Sequence, residues 1–245
     1  MKKHIKIIIA ALVLVLALFL GCGIYLADFY PADYESVEAF SAANGDFAAE
    51  KLDETKTAYI PEKAESGFIF YPGGKVEHRA YEPLMEALAA QNILCVLVEM
   101  PFNLAVFDID AADGVREFFP EIEKWYIGGH SLGGSMAASF LAENADDYLG
   151  LVLLASYSTE DLSDYELDVL SIYGSNDGVL SREKYSMYSA MLPEGFAELV
   201  IEGGNHAGFG MYGDQKGDGE ATLSNAEQIE LSARAIAEYI NEKTE

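Results

Sequence analysis

A serine stands between two glycines at Gly129-His130-Ser131-Leu132-Gly133. The G-x-S-x-G spacing suits a hydroxyl held on a sharp, strained turn with Oγ exposed, because bulk two residues before or after it would strike the neighbouring strand or helix. A serine hydroxyl is a weak nucleophile until a base takes its proton. The chain has only four histidines. His4 lies in an apolar N-terminal run. His130 is part of the turn itself, with its side chain expected to point away from Ser131. His78 opens a helix and is at most a rim residue. His206, in Gly203-Gly204-Asn205-His206, follows the last expected strand on a loop free to reach Ser131, and is the candidate base. An imidazole base needs a carboxylate to fix its tautomer and stabilise the imidazolium. Asp177, in Gly174-Ser175-Asn176-Asp177-Gly178, also follows an expected strand and is the candidate acid. Asp161 and Asp164, after the preceding strand, are the runners-up. Attack on an acyl carbonyl creates an oxyanion, for which two N–H donors are expected. One is Leu132, directly after the serine at a helix N-terminus. The other is Gly74, in the turn Pro72-Gly73-Gly74-Lys75, where glycine lets the backbone approach a substrate closely.

These residues need a frame that brings positions far apart in sequence to one edge. Short apolar runs at 67–71, 93–98, 125–128, 149–155, 169–173 and 198–201 read as strands, and most are continuous rather than alternating, as in a sheet covered on both faces. Between them, helical spacing marks 77–91 (with Pro83 as a late start or a kink), 108–119, 132–142 and 181–191. Ser224-Asn225-Ala226-Glu227 is a capping box before the apolar stripe Ile229, Ala233, Ile236 and Ile240. Alternating strands and helices predict an α/β fold with a mostly parallel sheet between helical layers. Sites in such folds lie at the carboxyl ends of the strands, where the three candidate loops fall.

The N-terminus is a separate matter. Lys2, Lys3 and Lys6 precede an uncharged run from Ile7 to Leu26, long enough for a helix to cross a bilayer core. Three readings compete for it: an uncleaved signal anchor, favoured by its length; a lipoprotein signal cut before Cys22; and a cleaved secretory peptide, for which no A-x-A site is evident. The positive flank predicts a cytoplasmic N-terminus, with the rest of the chain outside, at the cell membrane. The expected organisation is a membrane helix over 1–27, a short helix and linker over 28–56, and a catalytic domain over 57–245.

The net charge of −26 argues against nucleic acid as a partner, since phosphate binding needs a basic patch. Cys22 and Cys95 lie in separate apolar runs, so no disulfide is expected. No His/Cys cluster suggests zinc, and no G-x-G-x-x-G suggests a dinucleotide, so neither metal nor cofactor is expected. Asp214-Gln215-Lys216-Gly217-Asp218-Gly219-Glu220 resembles a calcium loop superficially, but Lys216 stands where an oxygen ligand belongs, and the segment reads as a surface loop that follows His206 closely enough to border the pocket.

The G-H-S-L-G turn, the P-G-G turn, the N-D-G loop and the late histidine together resemble the α/β-hydrolase superfamily over about residues 57–241. Y-P-G-G-K-V-E, M-P-F-N-L-A-V-F and G-G-N-H-A-G-F-G look like small bacterial hydrolases distantly similar to dienelactone hydrolases, many of which carry an N-terminal anchor. The order Ser131, Asp177, His206 is the chain order of that fold. The resemblance implies an eight-stranded sheet, here with its first strands in doubt because little sequence precedes Gly67. Dienelactone hydrolases proper use a cysteine nucleophile, so their substrate does not transfer to a chain with Ser131. The short segment 156–168, where relatives insert a lid, implies an open pocket for a small ester rather than an interfacial lipase. The expected activity is hydrolysis of a small acyl substrate. The same triad would also serve an acyltransferase or peptidase, and a non-catalytic membrane-anchored binding protein is the reading from another class.

Overall fold

The computed structural model describes residues 2–41 and 47–244. Helix α1 (Lys2–Ala27) holds the apolar run, and α2 (Tyr34–Ser41) follows it. Strand β1 (Phe47–Lys51) turns through Asp53, whose Oδ1 accepts the N–H groups of Thr55 and Lys56, into β2 (Lys56–Pro61). Then come β3 (Ser66–Tyr71), α3 (Glu82–Ala89), β4 (Ile93–Val98), β5 (Lys124–His130), α4 (Leu132–Glu143) and β6 (Gly150–Leu154). The chain ends with β7 (Asp168–Gly174), α5 (Arg182–Tyr188), β8 (Ala197–Ile201) and α6 (Asn225–Thr244).

Among the described residues the strands form one eight-stranded sheet in the order β1-β2-β4-β3-β5-β6-β7-β8. The pairs β1–β2 and β2–β4 are antiparallel, and every pair from β4 to β8 is parallel. Alternate side chains go to opposite faces. Phe68 and Phe70 pack in one core with α3 and α6, while Ile69 and Tyr71 pack in a second core with α4. Both faces being covered explains why β3, after its first residue Ser66, and β4 are continuously apolar and fully buried.

Several expectations hold. Pro83 lies in the first turn of α3, where a missing N–H costs nothing, so it marks a late start. The capping box is reciprocal: Ser224 Oγ accepts Glu227 N–H at 3.3 Å, and Glu227 Oε2 accepts Ser224 N–H at 2.8 Å. Cys22 and Cys95 are both free. Two expectations change. Residues 108–119 form successive tight turns with a short 3-10 segment, Arg116–Phe118, instead of an α-helix. Three aspartates that favour turns, and Gly114 at φ 73°, interrupt the helical spacing there. The stretch 28–56, expected as helix and linker, also contains β1, which supplies one of the first strands left in doubt; the part of it at 42–46 lies outside the described residues.

The segment after α1 docks on the domain. Tyr30 bridges Val76, Asp33 N–H donates to Met211 O at 2.8 Å, and Ala32 N–H donates to Glu77 Oε2 at 2.9 Å. The Tyr34 hydroxyl bonds the same carboxylate. From His4 to Ala27, α1 is long and apolar enough to cross a membrane; an 18-residue window within it has a mean hydropathy of 3.1 and none of that window is buried.

Candidate active site

Ser131 sits between β5 and α4 at φ 52° and ψ −121°. A non-glycine residue rarely adopts positive φ, and holding one there costs about 1–3 kcal/mol. The surroundings enforce it. Ser131 N–H donates to Leu154 O at 2.9 Å, and Ser131 O accepts the Ser156 hydroxyl at 2.6 Å. A Cβ on Gly133 would collide with the carbonyl oxygens of Tyr71 and Pro72, which is the steric reason for glycine two residues after the serine.

The turn after β3 lies against this elbow. A Cβ on Gly74 would come within 2.8 Å of Leu132 Cδ2. Leu132 opens α4, so its N–H has no acceptor within the helix. Among the described residues Gly74 N–H donates to no protein group either. The turn holding Gly74 thus adjoins Leu132, the residue after the serine.

His206 and Asp177 meet at the carboxyl ends of β8 and β7. His206 Nδ1 lies 2.9 Å from Asp177 Oδ2, with both side chains buried. Asp177 Oδ1 accepts the N–H groups of Val179 and Leu180, each at 2.8 Å. Burial pushes the Asp177 carboxyl up, but the His206 hydrogen bond and charge and those two N–H groups outweigh it. The net shift is downward, and the group is a carboxylate at neutral pH. An ionised Asp177 accepts a hydrogen bond from Nδ1–H, which keeps the ring proton on Nδ1 and leaves Nε2 as the acceptor. That Nε2 is buried and has no hydrogen-bond partner among the described residues.

Ser131, Leu132 and His206 line one cavity of about 310 Å³, completed by Ser156, Tyr157 and Leu180 among others. A larger hollow of about 650 Å³ lies between α2 and the start of α6, and neither histidine nor cysteine lines it. The runners-up are elsewhere: Asp161 is exposed and bonds Ser163, and Asp164 is exposed. His78 lies 3.9 Å from Glu99 instead of joining the cavity. The segment between β6 and β7 carries no helix, so no lid of that kind covers the serine.

Two residues were not legible as parts of this cluster. The His130 ring packs 4.5 Å from the His206 ring, centroid to centroid. Burial holds its imidazole far below the usual range, and neighbouring His206 adds to this, so it is neutral. Its Nδ1 lies 2.7 Å from the Tyr81 hydroxyl, which accepts Gly73 N–H at 3.2 Å. The turn holding Gly74 is thereby tied to the residue beside Ser131. Asp218 belongs to the segment that resembles a calcium loop. Its Oδ1 accepts Gly178 N–H at 3.0 Å and His206 N–H at 3.2 Å, and its Oδ2 accepts Ala207 N–H at 2.8 Å. Asp218 therefore turns inward and joins the Asp177 turn to the His206 loop, with its oxygens committed to backbone donors. These contacts span 49, 40 and 12 residues, so only an alignment could have flagged them from sequence.

A family model described as "Alpha/beta hydrolase family" matches residues 67–230. Several solved structures are similar in fold. One is titled a predicted CIB-like hydrolase from Thermoplasma acidophilum, at 14% identity and TM-score 0.59, covering 78% of this chain and 99% of that one. TT1662 from Thermus thermophilus has 16% identity and TM-score 0.60, covering 82% and 99%. Est1E from Butyrivibrio proteoclasticus has 16% identity and TM-score 0.56, covering 81% and 98%. No curated protein matches the sequence.

Proposed function

The chain belongs to the alpha/beta hydrolase family, and from that premise we propose that it is a serine hydrolase cleaving small esters through Ser131, His206 and Asp177. One observation carries this reading. His206 Nε2 is buried and unpartnered beside the cavity that Ser131 lines, while Nδ1 is held by Asp177. An imidazole fixed in that tautomer is ready to take a hydroxyl proton. Ser131 Oγ then attacks the acyl carbonyl, and the developing oxyanion is stabilised by Leu132 and Gly74 N–H. His206 returns the proton to the leaving alcohol, and water, activated by the same base, hydrolyses the acyl-enzyme. The size of the cavity supports a short acyl group. A panel of p-nitrophenyl esters tests this: acetyl to butyryl esters should turn over, and the palmitoyl ester should fall at least about tenfold below them, because a long chain outgrows a pocket near the small end of the ligand-site range. Failure to cleave any ester would contradict the reading.

Asp218 enters as a positioning residue. Asp218→Asn cannot accept from Gly178, His206 and Ala207 together in the present arrangement, which loosens the His206 loop. A displacement near 1 Å at a reacting group costs on the order of a hundredfold. Turnover of p-nitrophenyl acetate should fall by that order, with the circular dichroism spectrum retained; full activity would remove Asp218 from the account.

The basic flank of α1 supports an anchored domain on the outer side of the membrane. Protease added to intact cells or spheroplasts is expected to digest it. Protection until lysis would reverse the orientation. Cys22→Ser separates the tethers, since only a lipoprotein loses processing and shifts in size.

A further inference from the structure

We infer that residues 101–108 form a membrane-docking edge that dips into the leaflet on the domain's side and holds the mouth of the site at the lipid surface; this rests on the anchored reading above. The loop carries Phe102, Val106 and Phe107, with Phe102 59% and Phe107 56% exposed, and their rings meet edge to face at 5.7 Å. Phe102 and Asn103 are both left-handed, at φ 54° and 55°. Two successive non-glycine residues in that region are uncommon. Neither ring lines the cavity at Ser131, so contact with a substrate there does not account for the exposure.

The position of the loop identifies its partner. Asn103 O accepts Lys75 N–H at 2.7 Å, and Lys75 directly follows Gly74. The Lys75 ammonium lies 3.1 Å from Asp28 Oδ2 and 4.1 Å from the centre of the Tyr25 ring. Tyr25 is in the last turns of α1, and Asp28 is the first residue beyond it. One backbone hydrogen bond and one side chain therefore join the Phe102 loop to the point where the apolar helix ends. Phe29, 41% exposed, is on the same junction. Tyrosine and lysine at the end of a span are the usual interfacial anchors, lysine by reaching out along its apolar stem. A bilayer crossed by α1 must end beside this edge, and aromatic and aliphatic side chains are the chemistry that enters it. The strongly acidic chain disfavours attraction to anionic headgroups, so the docking is apolar and should occur on zwitterionic lipid.

The test uses the full chain in phosphatidylcholine vesicles whose acyl chains are brominated near the headgroup end. Phe107→Trp and, separately, Phe102→Trp place a reporter on the loop. Trp125, the single natural tryptophan, is fully buried at the far end of β5 from Ser131 and gives an unquenched background. The added emission of both variants should fall roughly twofold against unbrominated vesicles, since an apolar face buried about 5–10 Å reaches the bromines. Unquenched added emission from protein that floats with the vesicles and cleaves a water-soluble ester overturns the docking edge and leaves the anchored and hydrolase readings standing, whereas protein that stays out of the vesicle fraction removes the anchored reading and the edge with it. Quenching without cleavage of any ester keeps the edge and removes that reading. Either variant alone decides the matter if the other does not fold.

Discussion

Ser131→Ala should lower ester turnover by roughly 10⁶, the loss expected when the nucleophile of a Ser-His-Asp unit is removed and only the oxyanion donors and binding remain. The fold should survive. The Ser131 backbone is held by Leu154 O and by the Ser156 hydroxyl, and neither bond involves Oγ. Alanine keeps the positive φ and its cost. Ser131→Gly should be equally inactive but melt at a higher temperature than Ser131→Ala, because glycine adopts φ 52° without strain. The pair of variants separates chemistry from stability: turnover is measured on p-nitrophenyl acetate and melting by calorimetry. Retained turnover in Ser131→Ala would move the nucleophile elsewhere.

The second large effect belongs to Asp177. In Asp177→Asn the amide oxygen can still take the N–H groups of Val179 and Leu180, so the turn persists. The amide nitrogen then faces His206 Nδ1 and donates to it. The imidazole is driven into the tautomer with its proton on Nε2, where it cannot accept from Ser131. Turnover should fall by about 10⁴, the size of this effect in a serine protease. Asp161→Asn and Asp164→Asn should cost far less, and an inactive Asp161 or Asp164 variant beside an active Asp177→Asn would reassign the acid. Acid stability gives a second readout. The native carboxyl of Asp177 is shifted down, so its contribution is fully present above the unfolded value of about 3.9 and is lost as pH falls through the lower native value. Asp177→Asn should therefore flatten the loss of stability on acidification, and chemical denaturation over that pH range reads it.

Much of this arrangement could be read from residues alone where the signal was local. The elbow is a five-residue pattern whose glycines are required by contacts with Tyr71 and Pro72. The α6 capping box is complete within four residues. The buried strands announced themselves as continuous apolar runs, because both faces of the sheet are covered. Where the signal was weak, expectation and structure part. Strand β1, Phe-Ala-Ala-Glu-Lys, is an edge strand with four of its five residues exposed, so nothing apolar marks it; its pairing with β2 makes it a strand. Residues 108–119 had helical spacing, but their aspartates and Gly114 favour turns. His130 does not line the cavity with Ser131, and what its sequence position did not reveal is the contact with His206, which arises from the meeting of β5 with the loop after β8. The segment 214–220 could be placed near His206 by its position, but the role of Asp218 could not, because one carboxylate accepting N–H groups from two distant turns leaves no mark on sequence spacing.

The central claim is that Ser131 is the nucleophile, activated by His206. The most direct measurement treats the wild-type protein with a fluorophosphonate and maps the adduct by peptide mass spectrometry. A single adduct on the peptide carrying Ser131, lost in Ser131→Ala and strongly slowed in Asp177→Asn, is the predicted result. No adduct, or an adduct on another serine, would contradict the account.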